Sequence, residues 1–193
     1  MMLSQEDEFL DKVFVVDGGR VSTPLHRMIL DAIELVKEGY SAKAIKDILE
    51  ESRDKMVIFL AVETLEYLKK GGRITPTTAA LGTILNIKPI LKLDVGVLDT
   101  FKKCRGMKNA RQEMLDAMKY EFENTFQENL QNGEVYLLAA SSADEETTNA
   151  WVEEIKATFP GREVLCDDLS MGLCCHTGEG ALGIGCSCRP KRK

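Results

Sequence analysis

The sequence predicts an α/β chain with α+β character in its second part. Three observations predict it. Apolar residues recur at helical and strand-like spacings in alternation along most of the chain. Up to about Gly71 strands and helices alternate in a way that suits a parallel α/β layer. Beyond Gly71 a hairpin, a long helix and a β-α-β-β run suit a mainly antiparallel sheet with helices packed on one face. The change of style places a domain boundary there, dividing the chain into 1–70 and 71–193.

The elements follow in order. Residues 13–16 form a short β-branched and aromatic run that reads as a buried strand, broken by Asp17-Gly18-Gly19. Thr23 is a good N-cap and Pro24 suits the first position of a helix. Leu25, Ile29, Ala32, Ile33 and Val36 share one face of that helix, and Gly39 stops it. Ser41 caps a second helix whose inner face is Ala44, Ile45, Ile48 and Leu49. The continuous apolar run 56–62 reads as a strand buried on both faces. A short helix at 63–70 ends at Gly71-Gly72, and 77–85 is a further helical stretch rich in small and aliphatic residues.

Residues 87–93 and 97–104 form a hairpin that turns at 94–96. A long helix over 108–128 turns Ala110, Met114, Ala117, Met118 and Phe122 inward. A strand at 134–140 precedes Ser142, which with Glu145 makes a capping box. The helix it opens buries Trp151, Val152, Ile155 and Phe159, then stops at Pro160-Gly161. Strands at 163–169 and 181–188 flank a loop dense in Gly, Cys and His.

Composition excludes several classes. The 193 residues can bury roughly 70% of their unfolded surface without disulfides. Apolar residues at 44% and charged residues at 29% exclude disorder. With 31 acids against 25 Lys+Arg the net charge is −6, which argues against a general nucleic-acid backbone binder. The longest apolar run is 56–62, far short of the ~20 residues that span a bilayer. No leader pattern opens the chain, so a cytoplasmic location is expected and the six cysteines are read as thiols.

Four clusters could carry chemistry. Gly71-Gly72-Arg73 is either a helix stop with a surface arginine or an anion ligand. Cys174-Cys175-His176-Thr177-Gly178-Glu179-Gly180 can converge N–H groups and side chains on a carboxylate or phosphate; the competing reading is a turn histidine bonded to backbone. Cys174, Cys175, Cys186 and Cys188 lack the C-x-x-C spacing zinc favours, and buried thiols filling small spaces fit better. Ser22-Thr23 at a helix N-terminus is a plain cap or an anion site. No P-loop, dinucleotide fingerprint or nucleophile elbow is present. No nucleophile–base pair can be named, so the expectation is a binding protein and not an enzyme, with no cofactor and no metal.

The motifs TLEYLKKGGRI at 64–74, LNIKPIL at 85–91, Gly96, KCRG at 103–106 and HTGEGALGIG at 176–185 resemble the DegV family in order and spacing. The resemblance runs from about Val13 to Gly185. It implies a DegV-like two-domain fold, with an incomplete first α/β layer at 1–70 and a mainly antiparallel sheet with helices at 71–193. It implies a carrier that holds one long-chain fatty acid as ligand and, in some bacteria, presents its carboxylate to a separate fatty acid kinase.

Carried over by similarity, Ser22, Thr23, His176 and Thr177 are expected at the carboxylate, and Leu81, Ile84, Leu85 and Ile184 along the acyl chain. Arg105 is expected at the partner contact. Burying a sixteen-carbon tail at ~0.8 kcal/mol per CH₂ contributes on the order of 10 kcal/mol. Three departures stand out. Family members begin with a further α/β segment that the chain is expected to lack. Asp17-Gly18 replaces an Asp-Ser, and Glu179 replaces the proline of the glycine loop, placing a like charge beside a carboxylate site. An exposed first-domain edge that supports a homodimer is expected as a result. The alternative is a truncated remnant acting as an interaction or metal-stabilised module without lipid binding.

Overall fold

A sheet of six strands organises the described residues, which are 6–10, 12–73, 86–94 and 97–192 of the computed structural model. The strands are β1 (Met56–Ala61), β2 (Ile87–Asp94), β3 (Val97–Arg105), β4 (Val135–Ser141), β5 (Val164–Asp168) and β6 (Leu182–Cys188). Their order is β3-β2-β1-β6-β4-β5, and only the β4–β5 pair is parallel. The helices are α1 (Ser22–Lys37), α2 (Ala42–Glu51), α3 (Glu66–Lys70), α4 (Met107–Asn124), α5 (Gln127–Gln131), α6 (Glu145–Thr158) and α7 (Met171–Thr177). A 3₁₀ turn at Asp7–Phe9 precedes them.

The side-chain alternation of the strands divides the molecule into two faces. One face is filled. Val57, Phe59 and Ala61 of β1, Leu137 and Ala139 of β4, and Leu182, Ile184, Cys186 and Cys188 of β6 meet α4 and α6 there, around the fully buried Trp151. The expected inner face of the long helix is this contact: Ala110, Met114, Ala117, Met118 and Phe122 are all buried. Trp151 also donates from Nε1 to the Gly183 carbonyl at 3.0 Å, so its polar edge is satisfied within the sheet. The other face carries α1, α3 and α7 and stays partly open.

Several expectations are corrected. The parallel front layer is absent among the described residues: β1 sits inside the sheet, antiparallel to both β2 and β6. An apolar run buried on both faces carries no directional signal, so its partners are decided by the tertiary arrangement. The 70/71 boundary thus falls between two strands that pair with one another. Residues 13–16 are not a strand. They run without regular structure beside α2, where Lys46 donates to the Val15 carbonyl and Arg53 pairs with Asp17.

The face of α1 is also reversed. Its buried residues are Thr23, Pro24, Met28, Asp31 and Leu35, while Leu25, Ile29, Ile33 and Val36 are 41–63% exposed. The side chains that turn this helix are polar. Thr23 Oγ1 donates to the Ala139 carbonyl at 2.8 Å, and Arg27 lies 4.2 Å over the Tyr136 ring while pairing with Asp31. Thr23 is accordingly not the N-cap; that position is Val21, with no side-chain cap. The capping box fails likewise. Asp144 caps α6 by accepting from the Thr147 N–H, and Ser142 instead donates to the Gly178 carbonyl. Ser41 caps α2 as expected. The long helix breaks after Asn124 into α4 and α5. The helical stretch expected at 77–85 lies outside the described residues.

Candidate functional site: an apolar cavity with a polar mouth

The open face of the sheet holds a cavity of about 280 Å³, near the lower end of small-ligand sites at roughly 300–1,000 Å³. Register explains its floor. Leu60, Gly183 and Ala140 form one cross-strand row, and Ile58, Gly185 and Leu138 form the next. Leu93 and Leu98 extend the second row across β2 and β3. All eight line the cavity. The glycines leave the middle of both rows without a side chain, so the space above β6 remains empty. Gly185 has a further reason: a Cβ there would stand 2.8 Å from the Val57 carbonyl oxygen.

Leu68 of α3, Leu169 and Leu173 close the cavity from above, with the N-terminal turn of α1 at one side. The mouth is polar. Ser22 is a non-glycine residue at φ 54, in the left-handed region, and its buried Oγ has no partner among the described residues. His176 lies on α7 with a buried, equally unpartnered Nδ1. Gly71 is what admits this imidazole: a Cβ at residue 71 would stand 2.2 Å from Nδ1. Arg73, which follows that turn, also lines the cavity, donating one guanidinium N–H to the Gly71 carbonyl at 2.9 Å.

The expected carboxylate residues Ser22, Thr23, His176 and Thr177 therefore meet at one cavity, but they differ in what they can offer. A carboxylate only accepts hydrogen bonds, so it needs free donors. The Thr23 hydroxyl hydrogen is directed to Ala139, and the Thr177 hydroxyl faces the Leu173 and Gly178 carbonyls at 3.3 Å. Among the described residues, Ser22 Oγ and His176 Nδ1 have no partner. The histidine is helical and not in a loop, because α7 extends to Thr177.

Ile184 is at the cavity wall, yet its side chain belongs to the filled face, since a strand turns every second residue away. It contributes main chain, and its neighbours Gly183 and Gly185 supply the space. Leu81, Ile84 and Leu85 lie outside the described residues. Arg105 is exposed at the end of β3, its carbonyl accepting from Asn109, apart from the cavity lining. The alternate glycines of β6 were the missed signal: a Gly-x-Gly step inside an apolar strand removes side chains from one face only.

The cysteines do not converge. Cys174 Sγ donates to the Leu169 carbonyl at 3.2 Å, while Cys186 and Cys188 are buried in the filled face. Burial pushes the Cys188 thiol up to about 11, and it raises Cys186 well above the usual thiol range. No metal-holding group of His, Cys, Asp or Glu is found among the described residues. Nor is any helix there long and apolar enough to cross a membrane.

The family described as "Uncharacterised protein, DegV family" matches residues 2–189. A DegV domain-containing protein of Clostridium perfringens is 29% identical over 94% of this chain and 62% of its own length. Among solved structures, the Thermus thermophilus DegV family protein described by its fatty acid binding is 35% identical, at a TM-score of 0.79, over 94% of this chain and 62% of that one. DegV of Bacillus subtilis, described as a fatty acid binding protein, is 28% identical with a TM-score of 0.70, over 91% of this chain and 60% of that one. The chain thus spans less than two thirds of the length of these relatives.

Proposed function

The chain belongs to the DegV family, and from that premise we propose that it binds one long-chain fatty acid in the cavity above β6. The observation that carries this reading is the pairing of an apolar channel with two buried, unpartnered polar atoms, Ser22 Oγ and His176 Nδ1, at its mouth. A buried polar atom without a partner is costly, and a carboxylate supplies one for both. The hydroxyl donates to one carboxylate oxygen. The imidazole, with its proton on Nδ1, donates to the other, in a charge-assisted bond. Arg73 stands at the same mouth as a cation of fixed charge. The α1 N-terminus adds oriented N–H groups. The tail replaces water over Gly183 and Gly185, contributing on the order of 10 kcal/mol for sixteen carbons.

The role is carriage and not catalysis, with the acid held for a fatty acid kinase that approaches the exposed Arg105. The protein acts in the cytoplasm. The exposed apolar stripe of α1, with Val13, Val15 and Val21 beside it, is the surface through which copies would pair.

Native mass spectrometry of the purified protein, followed by lipid extraction, tests the main reading. The expected result is one fatty acid per chain, lost in His176→Ala and in Ser22→Ala while both variants stay folded. A ligand-free protein that takes up no added oleate would overturn it. Arg105→Glu is expected to weaken kinase binding without changing the bound lipid.

A further inference from the structure

Helix α7 brings Leu173, His176 and Thr177 to the cavity, yet the hydrogen bonds it makes are local. Among the described residues, Cys174 Sγ donates to the Leu169 carbonyl, and Thr177 Oγ1 stands between the Leu173 and Gly178 carbonyls. The N–H groups of Leu173 and Cys174 go to the Ser170 carbonyl, and that of Gly178 goes to Cys174. The helix therefore takes its position from its two ends and from what packs beside it.

Both ends are tied to one dipeptide at the end of β4. Ahead of α7, the Leu169 N–H donates to the Ser141 carbonyl at 2.7 Å. Behind it, Ser142 engages the whole turn. Its N–H donates to the Ala181 carbonyl at 2.9 Å, and its carbonyl accepts from the Gly180 N–H at 3.1 Å. Its hydroxyl donates to the Gly178 carbonyl at 2.7 Å and accepts from the Ala181 N–H at 3.0 Å. Gly178 and Gly180 both stand at φ 78, so the chain leaves regular strand pairing here and a side chain closes the turn. Ser142 is available for this because Asp144 caps α6.

The dipeptide is in turn held from the filled face. Ser141 is fully buried, and its Oγ accepts from the Ala143 N–H at 3.0 Å and lies 2.8 Å from Thr148 Oγ1 of α6. From the side of α3, the Tyr67 ring occupies the place where a Gly178 side chain would stand, and Gly71 leaves room for the imidazole. Packing of this kind tolerates small rotations that a hydrogen bond does not.

We propose that Ser142 is a positioning residue for the head-group site: by pinning Gly178 and Ala181 it fixes the end of α7 and aims the His176 imidazole at the ligand's carboxylate. This inference rests on the fatty-acid reading above. The bond from the imidazole to the carboxylate is directional, and it weakens steeply as its angle falls below about 120°. The contacts of the tail are not directional, and its floor belongs to the sheet and not to α7. Loss of the clamp therefore acts on the head group and spares the tail.

Calorimetric titration with oleic acid and with oleyl alcohol, which share one tail, tests this role. The proteins are wild type, Ser142→Ala, Ser142→Thr, His176→Ala and the double variant Ser142→Ala with His176→Ala, each first checked for a cooperative melt. Wild type is expected to bind the acid about tenfold or more tighter than the alcohol, the scale of a hydrogen bond to a charged group. Ser142→Ala is expected to lower acid affinity about fivefold or more and alcohol affinity less than about twofold. Ser142→Thr keeps the hydroxyl and is expected to stay within about twofold of wild type for both. In the His176→Ala background, Ser142→Ala is expected to change acid affinity less than about twofold, because a residue that acts through the imidazole has nothing left to act on. If Ser142→Ala does not fold, Ser142→Cys takes its place, since a thiol is the weaker donor and acceptor. Equal losses of acid and alcohol, an undiminished loss in the His176→Ala background, or a folded Ser142→Ala with the wild-type preference overturns the positioning role alone. A wild type that binds both ligands equally removes the carboxylate contact of His176 together with that role. A wild type that binds neither overturns the proposed function as well.

Discussion

The two faces of the sheet are made by the same strands, and they differ in almost everything else. On β1, Val57 and Phe59 are in the filled face, while Ile58 and Leu60 are over the cavity. On β6, Ile184 and Cys186 fill one side, and Gly183 and Gly185 leave the other empty. The filled face meets the long amphipathic helices α4 and α6. The open face meets short helices and the polar turn of α1. A period of two residues thus lets one strand serve stability with one set of positions and ligand space with the other. Mutations on the two faces should therefore separate folding from binding.

The largest expected effect is on the filled face. Trp151→Ala leaves a large cavity against β6 and is expected to cost about 3–5 kcal/mol, read from the urea midpoint. A loss under 1 kcal/mol would mean that the face is not the main core. Next comes Gly183→Leu on the open face. A Cβ there meets the Ala140 carbonyl at an ordinary 3.4 Å, so the backbone admits it while the side chain fills the channel. Fatty-acid affinity is expected to fall at least tenfold, about 1.4 kcal/mol, with the melting temperature little changed. Retained affinity would place the acyl chain elsewhere.

A smaller effect is expected where the faces meet. Thr23→Val removes the hydroxyl that ties α1 to β4 and should cost about 1 kcal/mol in denaturant unfolding. Binding that collapses while stability holds would instead give this hydroxyl to the ligand. The smallest effect is chemical. At pH 8 iodoacetamide should label the exposed Cys175 and spare Cys188, whose buried thiol is pushed up to about 11. Mass mapping of the native protein reads this directly. Equal labelling would show that the filled face opens readily.

How far the chain could be read from its residues varied by element. Helix α4 was legible because its apolar period is long and unbroken, and each of its five expected core residues is buried. The β2–β3 hairpin was legible from its turn and its two apolar runs. Helix α1 misled because its stronger apolar stripe is the exposed one, while Thr23 and Asp31 face inward. Periodicity ranks faces by hydrophobicity and does not register a buried polar anchor such as the Arg27–Asp31 pair. The run 13–16 misled for a related reason. A β-branched segment becomes a strand only where another strand accepts its backbone hydrogen bonds.

The polar mouth was half legible. His176 and Ser22 were named from a glycine-rich run, a helix start and the family resemblance. Which hydroxyls were free depended on Ala139, Leu173 and Gly178, whose carbonyls reach Thr23 and Thr177 only in the folded chain.

By itself the sequence determined the mixed α/β class, the family, the Ser41 cap of α2, and the helix that packs the filled face. These depend on interactions between near neighbours along the chain, or on motifs whose spacing survives in any representation. The tertiary structure alone decided that β1 lies inside the sheet, antiparallel to both its neighbours, that the glycines of β6 face a cavity, and that Ser187 and Arg20 are buried. Strand pairing and hydrogen-bond satisfaction join residues far apart in sequence. Each is settled by which alternative leaves the fewest buried polar atoms without a partner.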